Sequence, residues 1–291
     1  MTKRLSLTPY LFLTPALAGI AVFVLYPMAA VVYYSFTDYN IITPPIWVGL
    51  KNYQHLFQDT VFLKALSHSL IYLLVTPILI VLSILLAIVV NRPLRGIHFF
   101  RALYYLPVVS GTVAVGLAWS LVLNTHGLLN SLLQTAGVIK EPVQWLADPS
   151  LTLMFCMMLT IWTGAGFYMM IFLAGLQNIP EELYDAAMID GCNNIQKHWH
   201  ISVPGLRPQI TFVAVISSLA ALNVFSEPFI LFGPNGGILD SGTTVVLYLW
   251  RVAFRLNHAG YASAVAMGLL LITLGFSIMQ IRLIERGTEA N

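Results

Sequence analysis

Glu227 is the only acid that falls inside one of the long apolar runs of this sequence. A charge at the centre of a bilayer costs up to about 3 kcal/mol, so an acid there is retained for a reason. Two reasons fit: an interfacial structural contact near the end of its run, just before Pro228, or the lining of a polar path. Asn223 lies one helical turn earlier on the same face and Ser226 is adjacent; Ser217 is assigned to the same path. A neighbouring run offers Trp162, Gly164, Gly166 and Tyr168. Amide, hydroxyl and aromatic groups of this kind recognise a polar ligand without making or breaking its bonds. The plainer alternative is that the glycines let helices pack closely and the aromatics fill space.

Other reactive groups form no constellation. His198 and His200 are two residues apart on an expected helix, so they point in different directions and make poor metal ligands. Cys156 lies in an apolar run and Cys192 in a polar segment, which suggests neither a disulfide framework nor a metal site. The sequence has no HExxH, no nucleotide-binding P-loop and no nucleophile elbow. The expectation is a protein that is not an enzyme and holds no metal and no cofactor of its own.

The elements that position these residues follow from composition. Of 291 residues, 58% are apolar and 9% charged, and the mean hydropathy is +0.81. A soluble domain carries roughly a quarter of its residues charged; this chain in water would expose large apolar patches. The bilayer is its natural solvent. A net charge of +2 with no basic block argues against nucleic acid. A crossing helix needs about 20 apolar residues, and six runs qualify: Tyr10–Phe36, Ser67–Val90, Ala102–Leu123, Leu151–Leu176, Pro208–Phe232 and Tyr261–Leu283. Backbone groups cannot stay unpaired in lipid, so all six are expected to be helices. The uncharged stretch Leu5–Thr37 exceeds the core of a signal peptide, and it is expected to remain as an anchored span. The fold class is therefore all-α integral membrane, one domain over residues 1–291 with six transmembrane helices. Thr244–Trp250 is too short to cross and reads as an interfacial or re-entrant helix, and Asn52–Phe57 as an amphipathic piece.

One polar segment interrupts this pattern. Residues 149–180 and 208–226 carry no charge, yet between them lies Pro180-Glu-Glu-Leu-Tyr-Asp-Ala-Ala-Met-Ile-Asp-Gly191, followed by Ile201-Ser-Val-Pro204. Asn178 and Glu181 form a capping-box pattern. Pro180 suits a first turn, and Glu181, Glu182 and Asp185 place negative charge toward the positive end of the helix. Gly191 is placed to end the helix in a left-handed conformation. Asn193 or Asn194 then starts a second helix, Ile195–Val203, closed by Pro204. Tyr184, Ala187, Met188 and Gly191 share a face by their spacing, and small side chains at Ala186 and Ala187 admit another backbone. Such a stiff hairpin is either a capped surface loop or a docking element.

The hairpin resembles the coupling loop of ABC importer permeases: Glu-Ala-Ala, three residues, Gly, nine residues, Ile, one residue, Leu-Pro. Here Asp185-Ala186-Ala187 precedes Gly191, and Ile201 precedes Val203-Pro204 at the same gaps. Asp185 stands in place of Glu and Val203 in place of Leu. The likeness extends over nearly the whole chain. Pro9-Tyr-Leu-Phe-Leu-Thr-Pro15, Tyr26-Pro27, Ser35-Phe-Thr-Asp38, Phe99-Phe-Arg101, Leu106-Pro107 and Gly260-Tyr-Ala-Ser-Ala264 are similar to segments of the sugar-type permeases of the maltose and glycerol-phosphate kind. The resemblance implies a second permease subunit in a heterodimer, two ATP-binding subunits that hold ATP and magnesium, an external binding protein and membrane lipid as partners. It implies coupling through Glu182, Tyr184, Asp185, Ala186, Ala187, Met188, Asp190 and Gly191. It implies a sugar or polyol path, for which Trp162, Gly164, Tyr168, Ser217, Asn223 and Glu227 are the candidates.

Orientation follows from Lys and Arg. With the N-terminus inside, nine face the cytoplasm (Lys3, Arg4, Arg92, Arg95, Arg101, Lys197, Arg207, Arg282 and Arg286) and five face outward (Lys51, Lys64, Lys140, Arg251 and Arg255). Both termini and the coupling loop, residues 177–207, are thereby expected in the cytoplasm of a bacterium, with the spans in its inner membrane. An ion-coupled secondary transporter is the alternative, but it calls for paired intramembrane charges and repeats. An integral-membrane enzyme would need a catalytic constellation.

Overall fold

A computed structural model describes residues 8–91 and 95–289. The expected charges Lys3, Arg4 and Arg92 lie outside the described residues. Among the described residues the regular elements are helices apart from one two-residue strand pair. A rod runs from α1 (Thr8–Ile20) through a π turn at Ala21–Leu25 into α2 (Tyr26–Ser35), and β1 (Thr37–Asp38) then pairs antiparallel with β2 (Ile46–Trp47). Next come α3 (Lys51–Gln58), α4 (Thr60–Tyr72), α5 (Val75–Val90), α6 (Ile97–Val109), α7 (Thr112–Val122), α8 (Leu128–Thr135) and α9 (Thr152–Gln177). The hairpin follows: α10 (Glu181–Ile189), α11 (Asn194–Lys197), a π turn at His198–Ser202 and α12 (Val203–Gly205). The chain ends with α13 (Arg207–Leu222), α14 (Ser226–Phe232), α15 (Val245–Trp250), a π turn at Arg251–Arg255 and α16 (Ala259–Glu289).

Among the described residues, four helical stretches are long and apolar enough to cross a membrane: Leu11–Ser35, Thr60–Val90, Thr152–Gln177 and Ala259–Arg282. Two bent pairs raise the number to at most six if each counts as one span, Ile97–Val109 with Thr112–Val122 at 95° and Asn194–Gly205 with Arg207–Leu222 at 67°. The expected span Ala102–Leu123 is thus sharply bent rather than straight. Pro107 removes one helical donor, and Ser110 and Gly111, with ψ of 130° and 134°, turn the chain out of the helix.

The expected span Pro208–Phe232 is interrupted at Asn223–Phe225. Pro228 has no N–H for the Val224 carbonyl, and its ring would collide with that carbonyl in an unbroken helix. The chain resolves this by ending α13 at Leu222 and starting α14 at Ser226, where Pro228 falls in a first turn that needs no donor. The released Val224 carbonyl accepts from the buried Thr244 hydroxyl at 2.8 Å.

The chain forms two compact units. One runs up to Thr60 and includes Leu249–Ile272; the other comprises Val61–Tyr248 and the chain from Thr273. In the first unit, the Asn52 amide donates to the carbonyls of Ser35 and Thr37, and the Tyr53 hydroxyl donates to Ser35 Oγ at 2.7 Å. Gly260 meets the turn after β1 so closely that a Cβ would lie 2.1 Å from the Thr37 carbonyl oxygen, while its own N–H donates to the Tyr39 carbonyl. The Ser35–Asp38 and Gly260–Ala264 segments, read separately in the sequence, are packed together. Tyr261 Oη donates to Asp59 at 2.6 Å.

In the second unit, α5 and α9 form the core around Tyr72, Leu79, Leu159, Met169 and Phe172. Gly166 lets the backbone of Tyr104 approach α9, since a Cβ there would lie 2.1 Å from the Tyr104 carbonyl oxygen. The loop 233–244 is pinned by Val245 N–H donating to Ser69 Oγ and by the Ser241–Thr152 hydroxyl pair, both at 3.0 Å. Ahead of α9, Asp148 accepts from the amide and hydroxyl of Ser150, which holds its carboxyl below the usual range.

Thr244→Val keeps the shape of that buried side chain but strands the Val224 carbonyl. Leaving a buried acceptor unsatisfied costs about 1–3 kcal/mol. Thermal unfolding of the detergent-solubilised protein is expected to show a lower midpoint for Thr244→Val than for Thr243→Val, whose hydroxyl bonds are longer at 3.3 Å.

Candidate functional site: a helical hairpin and a hydroxyl-lined cavity

The hairpin lies between α9 and α13 and ends its first helix by the geometry expected of Gly191. That residue has φ of +79°. The Cys192 N–H bonds to the Ala187 carbonyl at 2.9 Å and the Gly191 N–H to the Met188 carbonyl at 3.1 Å, the two bonds of a Schellman motif. The second helix opens with a reciprocal capping box between Asn193 and Gln196. Two expectations are corrected. Asn178 does not cap α10; it closes α9, with its N–H on the Gly175 and Leu176 carbonyls, and the N-cap position of α10 is Pro180. Pro204 does not end the second helix, because the π turn at His198–Ser202 shifts the register and helical backbone continues to Gly205.

All eight residues assigned to coupling lie on α10 and its cap. Glu182, Asp185, Ala186, Met188, Asp190 and Gly191 are exposed; Tyr184 and Ala187 are half-buried. Beside the acids, large apolar side chains are also exposed: Leu183, Met188, Ile189 at 87%, Ile195 at 80% and Trp199 at 70%. Of these only Met188 was singled out from sequence; the signal for the rest was apolar residues spread through an otherwise polar segment. Acid and apolar groups displayed together on a stiff hairpin form a surface suited to another protein.

The second part of the site is a cavity of about 220 Å³ between α5, α6, α7, α9 and α13. Gly164, Tyr168 and Ser217 line it, together with Ser110, Thr160 and Thr163. The hydroxyls of Ser110, Thr163 and Ser217 donate to carbonyls one turn back, Leu106 at 2.9 Å, Leu159 at 3.0 Å and Val213 at 2.6 Å. With those protons committed, the side chains have lone pairs left to offer.

Glu227 is half-buried and is not among the lining residues, but Thr160, which is, lies close enough to its carboxyl to interact with it. Thr160 Oγ1 is 2.6 Å from Tyr72 Oη, so Thr160 ties Tyr72 to the cavity wall, with the Glu227 carboxyl beside it. The shared face expected for Asn223 and Glu227 does not exist, since the helix breaks between them. Asn223 is exposed and its amide donates to the Leu219 carbonyl at 2.8 Å. Trp162 lies elsewhere, edge-on to Trp119 at 5.7 Å in a separate apolar groove. Sequence reasoning missed Thr160 and Thr163, although both lie within one turn of Gly164. His198 and His200 bond to Ser202 Oγ and to the Gln196 carbonyl, and no cluster of metal-ligating side chains occurs among the described residues.

The model of the family described as "Binding-protein-dependent transport system inner membrane component" matches residues 60–286, which include both hairpin and cavity. The chain belongs to this family. It is a multi-pass membrane permease of the ABC importer type. The permease is 36% identical over 295 residues to the probable ABC transporter permease protein YurN of Bacillus subtilis (strain 168), covering 99% of this chain and 100% of the relative. It is 32% identical over 289 residues to the lactose transport system permease protein LacF of Rhizobium radiobacter, covering 96% of each. Its fold matches a chain of a bacterial alginate ABC transporter, solved in complex with alginate pentasaccharide-bound periplasmic protein. The TM-score is 0.86 at 23% identity, over 97% of this chain and 95% of that one.

Open space surrounds Gly191, with nothing within 4 Å of an added Cβ. A substitution there is opposed by backbone conformation alone. Gly191→Val should weaken the hairpin by about 1–2 kcal/mol, and Gly191→Asn by less, because Asn visits the left-handed region. Limited proteolysis within residues 189–194 is expected to rank the variants in that order.

Proposed function

We propose that this permease is one of two membrane subunits of an ATP-driven importer that carries a sugar or sugar-like polyol delivered by an external binding protein. The observation that carries the proposal is the hairpin: a rigid, glycine-terminated helix showing acid and apolar side chains, set between two apolar helices. ATP and magnesium belong to a pair of partner subunits, and α10 is the element they grip. The orientation is that of a bacterial inner-membrane protein with both termini and the hairpin in the cytoplasm, and lipid covers the apolar outer faces. Closure of the ATP-binding pair moves α10, and the movement passes through α11 and α12 into α13, re-orienting the helices around the cavity.

The cavity supports the substrate class. None of its lining residues is charged; it offers hydroxyls, one tyrosine ring and apolar walls. A neutral ligand rich in hydroxyl donors complements lone pairs of this kind, and a relative named for lactose transport agrees with it. A ligand carrying carboxylates would find no cation among the lining residues.

The test is reconstitution. Purified alone, this chain is expected to hydrolyse no ATP. With the second permease and the ATP-binding pair in proteoliposomes, hydrolysis should appear and rise when loaded binding protein is added. Hydrolysis by this chain alone would refute the assignment of ATP to partners. Asp185→Lys reverses a charge on the gripped helix and should abolish import while the chain still inserts into the membrane; unchanged uptake would reduce the hairpin to a surface loop.

Glu227→Gln tests the path. It keeps the shape of the side chain but weakens the acceptor for a bond from the Thr160 hydroxyl at the cavity wall. A net interaction of about 1 kcal/mol, roughly fivefold, is at stake in such a bond. Import by Glu227→Gln is expected to fall by about that factor or to change its preference among sugars, while Asn223→Leu, on an exposed residue that bonds only its own helix, changes less. The reverse order would exchange the roles of the two residues.

A further inference from the structure

Ser202 occupies the single position that the coupling-loop pattern leaves open between Ile201 and Val203-Pro204. It is fully buried, with no exposed surface, in a segment where most neighbours are accessible. Its hydroxyl has two partners. Tyr184 Oη, from the middle of α10, is 2.8 Å away, and His198 Nδ1, from the first residue of the π turn, is 3.0 Å away. Eighteen residues separate Tyr184 from Ser202 in the chain, so this hydroxyl joins the outgoing arm of the hairpin to the returning one.

A serine hydroxyl has one proton and two lone pairs. When His198 Nδ1 is an acceptor, Tyr184 donates to Ser202 and Ser202 donates to the imidazole. When Nδ1 carries a proton, the order reverses: the imidazole donates to Ser202 and Ser202 donates to Tyr184. Both arrangements satisfy all three groups, so the link persists through either state of the histidine.

The returning arm is itself fixed to the membrane helices. Leu206, fully buried, packs against Gly175 of α9, where a Cβ would lie 2.7 Å from its Cδ2; Gly205 receives the Ile179 side chain with equal closeness. Val203 N–H bonds back to the His198 carbonyl, which closes the π turn around Ser202. α10 buries no residue of its own. The Tyr184–Ser202 pair is a side-chain hydrogen bond from α10 to the returning arm.

We propose that Ser202 is a positioning residue, whose hydroxyl clasps α10 to the π turn leading into α13 so that displacement of α10 is delivered to the membrane helix. This rests on the coupling role given above to the hairpin. It assigns to a position the family pattern leaves free the task of making the hairpin one mechanical piece.

Two measurements test it together. In the first, amide hydrogen exchange is followed in the full-length chain in detergent. Ser202→Ala and Tyr184→Phe should each speed exchange within residues 183–190 by about tenfold, the size expected for losing one such buried bond. The double variant should exchange no faster than either single one, because both remove the same link. In the second, sugar imported per ATP hydrolysed is measured in proteoliposomes with the partner subunits. Ser202→Ala should lower this ratio at least threefold while hydrolysis itself persists, which a loss of folded protein alone would not do. Tyr184→Phe keeps the exchange test decisive should Ser202→Ala assemble poorly. Unchanged exchange in both variants overturns the clasp. Faster exchange with a wild-type import ratio overturns the positioning role and leaves a merely structural serine. A wild-type assembly that imports nothing on ATP removes the coupling reading, and the positioning role with it, whatever the exchange rates show.

Discussion

A backbone carbonyl without a partner is tolerable in water and expensive in hydrocarbon, and the Val224 carbonyl shows how much of this structure answers to that constraint. Pro228 cannot supply the helical donor. The helix breaks at Asn223–Phe225, and the freed oxygen is taken by Thr244. Thr244 can be there only because the loop 233–244 folds back, through positive φ at Gly233, Gly236 and Gly237, and because Ser69 accepts from the Val245 amide. One missing N–H therefore determines where α13 ends, where α14 begins and why α15 starts where it does. It also determines the placement of Glu227, in the first turn of α14 and within reach of Thr160.

The hairpin obeys the same requirement by local means. Its helix ends are satisfied by local devices, the Schellman pair at Gly191 and the capping box at Asn193. They fix the turn between the arms without tertiary packing, which leaves the outward side chains available. Apolar groups such as Ile189 and Trp199 stay exposed because the hairpin has no core of its own to bury them in.

What was legible in the sequence was whatever a short stretch determines by itself. Gly191 was readable because a helix followed by acids, alanines and a glycine has one common way to end. The short helix at Val245–Trp250, the amphipathic α3 and the spans Leu151–Leu176 and Tyr261–Leu283 were readable from length and periodicity. The failures have a common source: each required a distant partner or a choice between two adjacent elements. Asn178 had the right chemistry to start α10 but was already closing α9. Pro204 was read as a stop because a π turn has no sequence signature. Asn223 and Glu227 were put on one face by assuming that Pro228 could be accommodated in an unbroken helix. Trp162 has the residue type suited to a binding face, but α9 turns it toward Trp119. Thr160 was invisible, since its importance comes from Tyr72 and Glu227, which lie far away in the chain.

The commitment of the cavity hydroxyls to their own backbone has a kinetic side. Ser110, Thr163 and Ser217 keep their protons on carbonyls one turn back, so they need not rotate to meet a visitor or rotate back when it leaves. Each contributes a neutral contact worth about 1 kcal/mol rather than the larger energy of an ion pair. On the proposal that the cavity is the passage site, such a wall yields a short residence time, because affinity differences among related sites are expressed mostly in the rate of departure. Tight retention is the task of a receptor that must scavenge a dilute solute; a conduit works faster when it lets go.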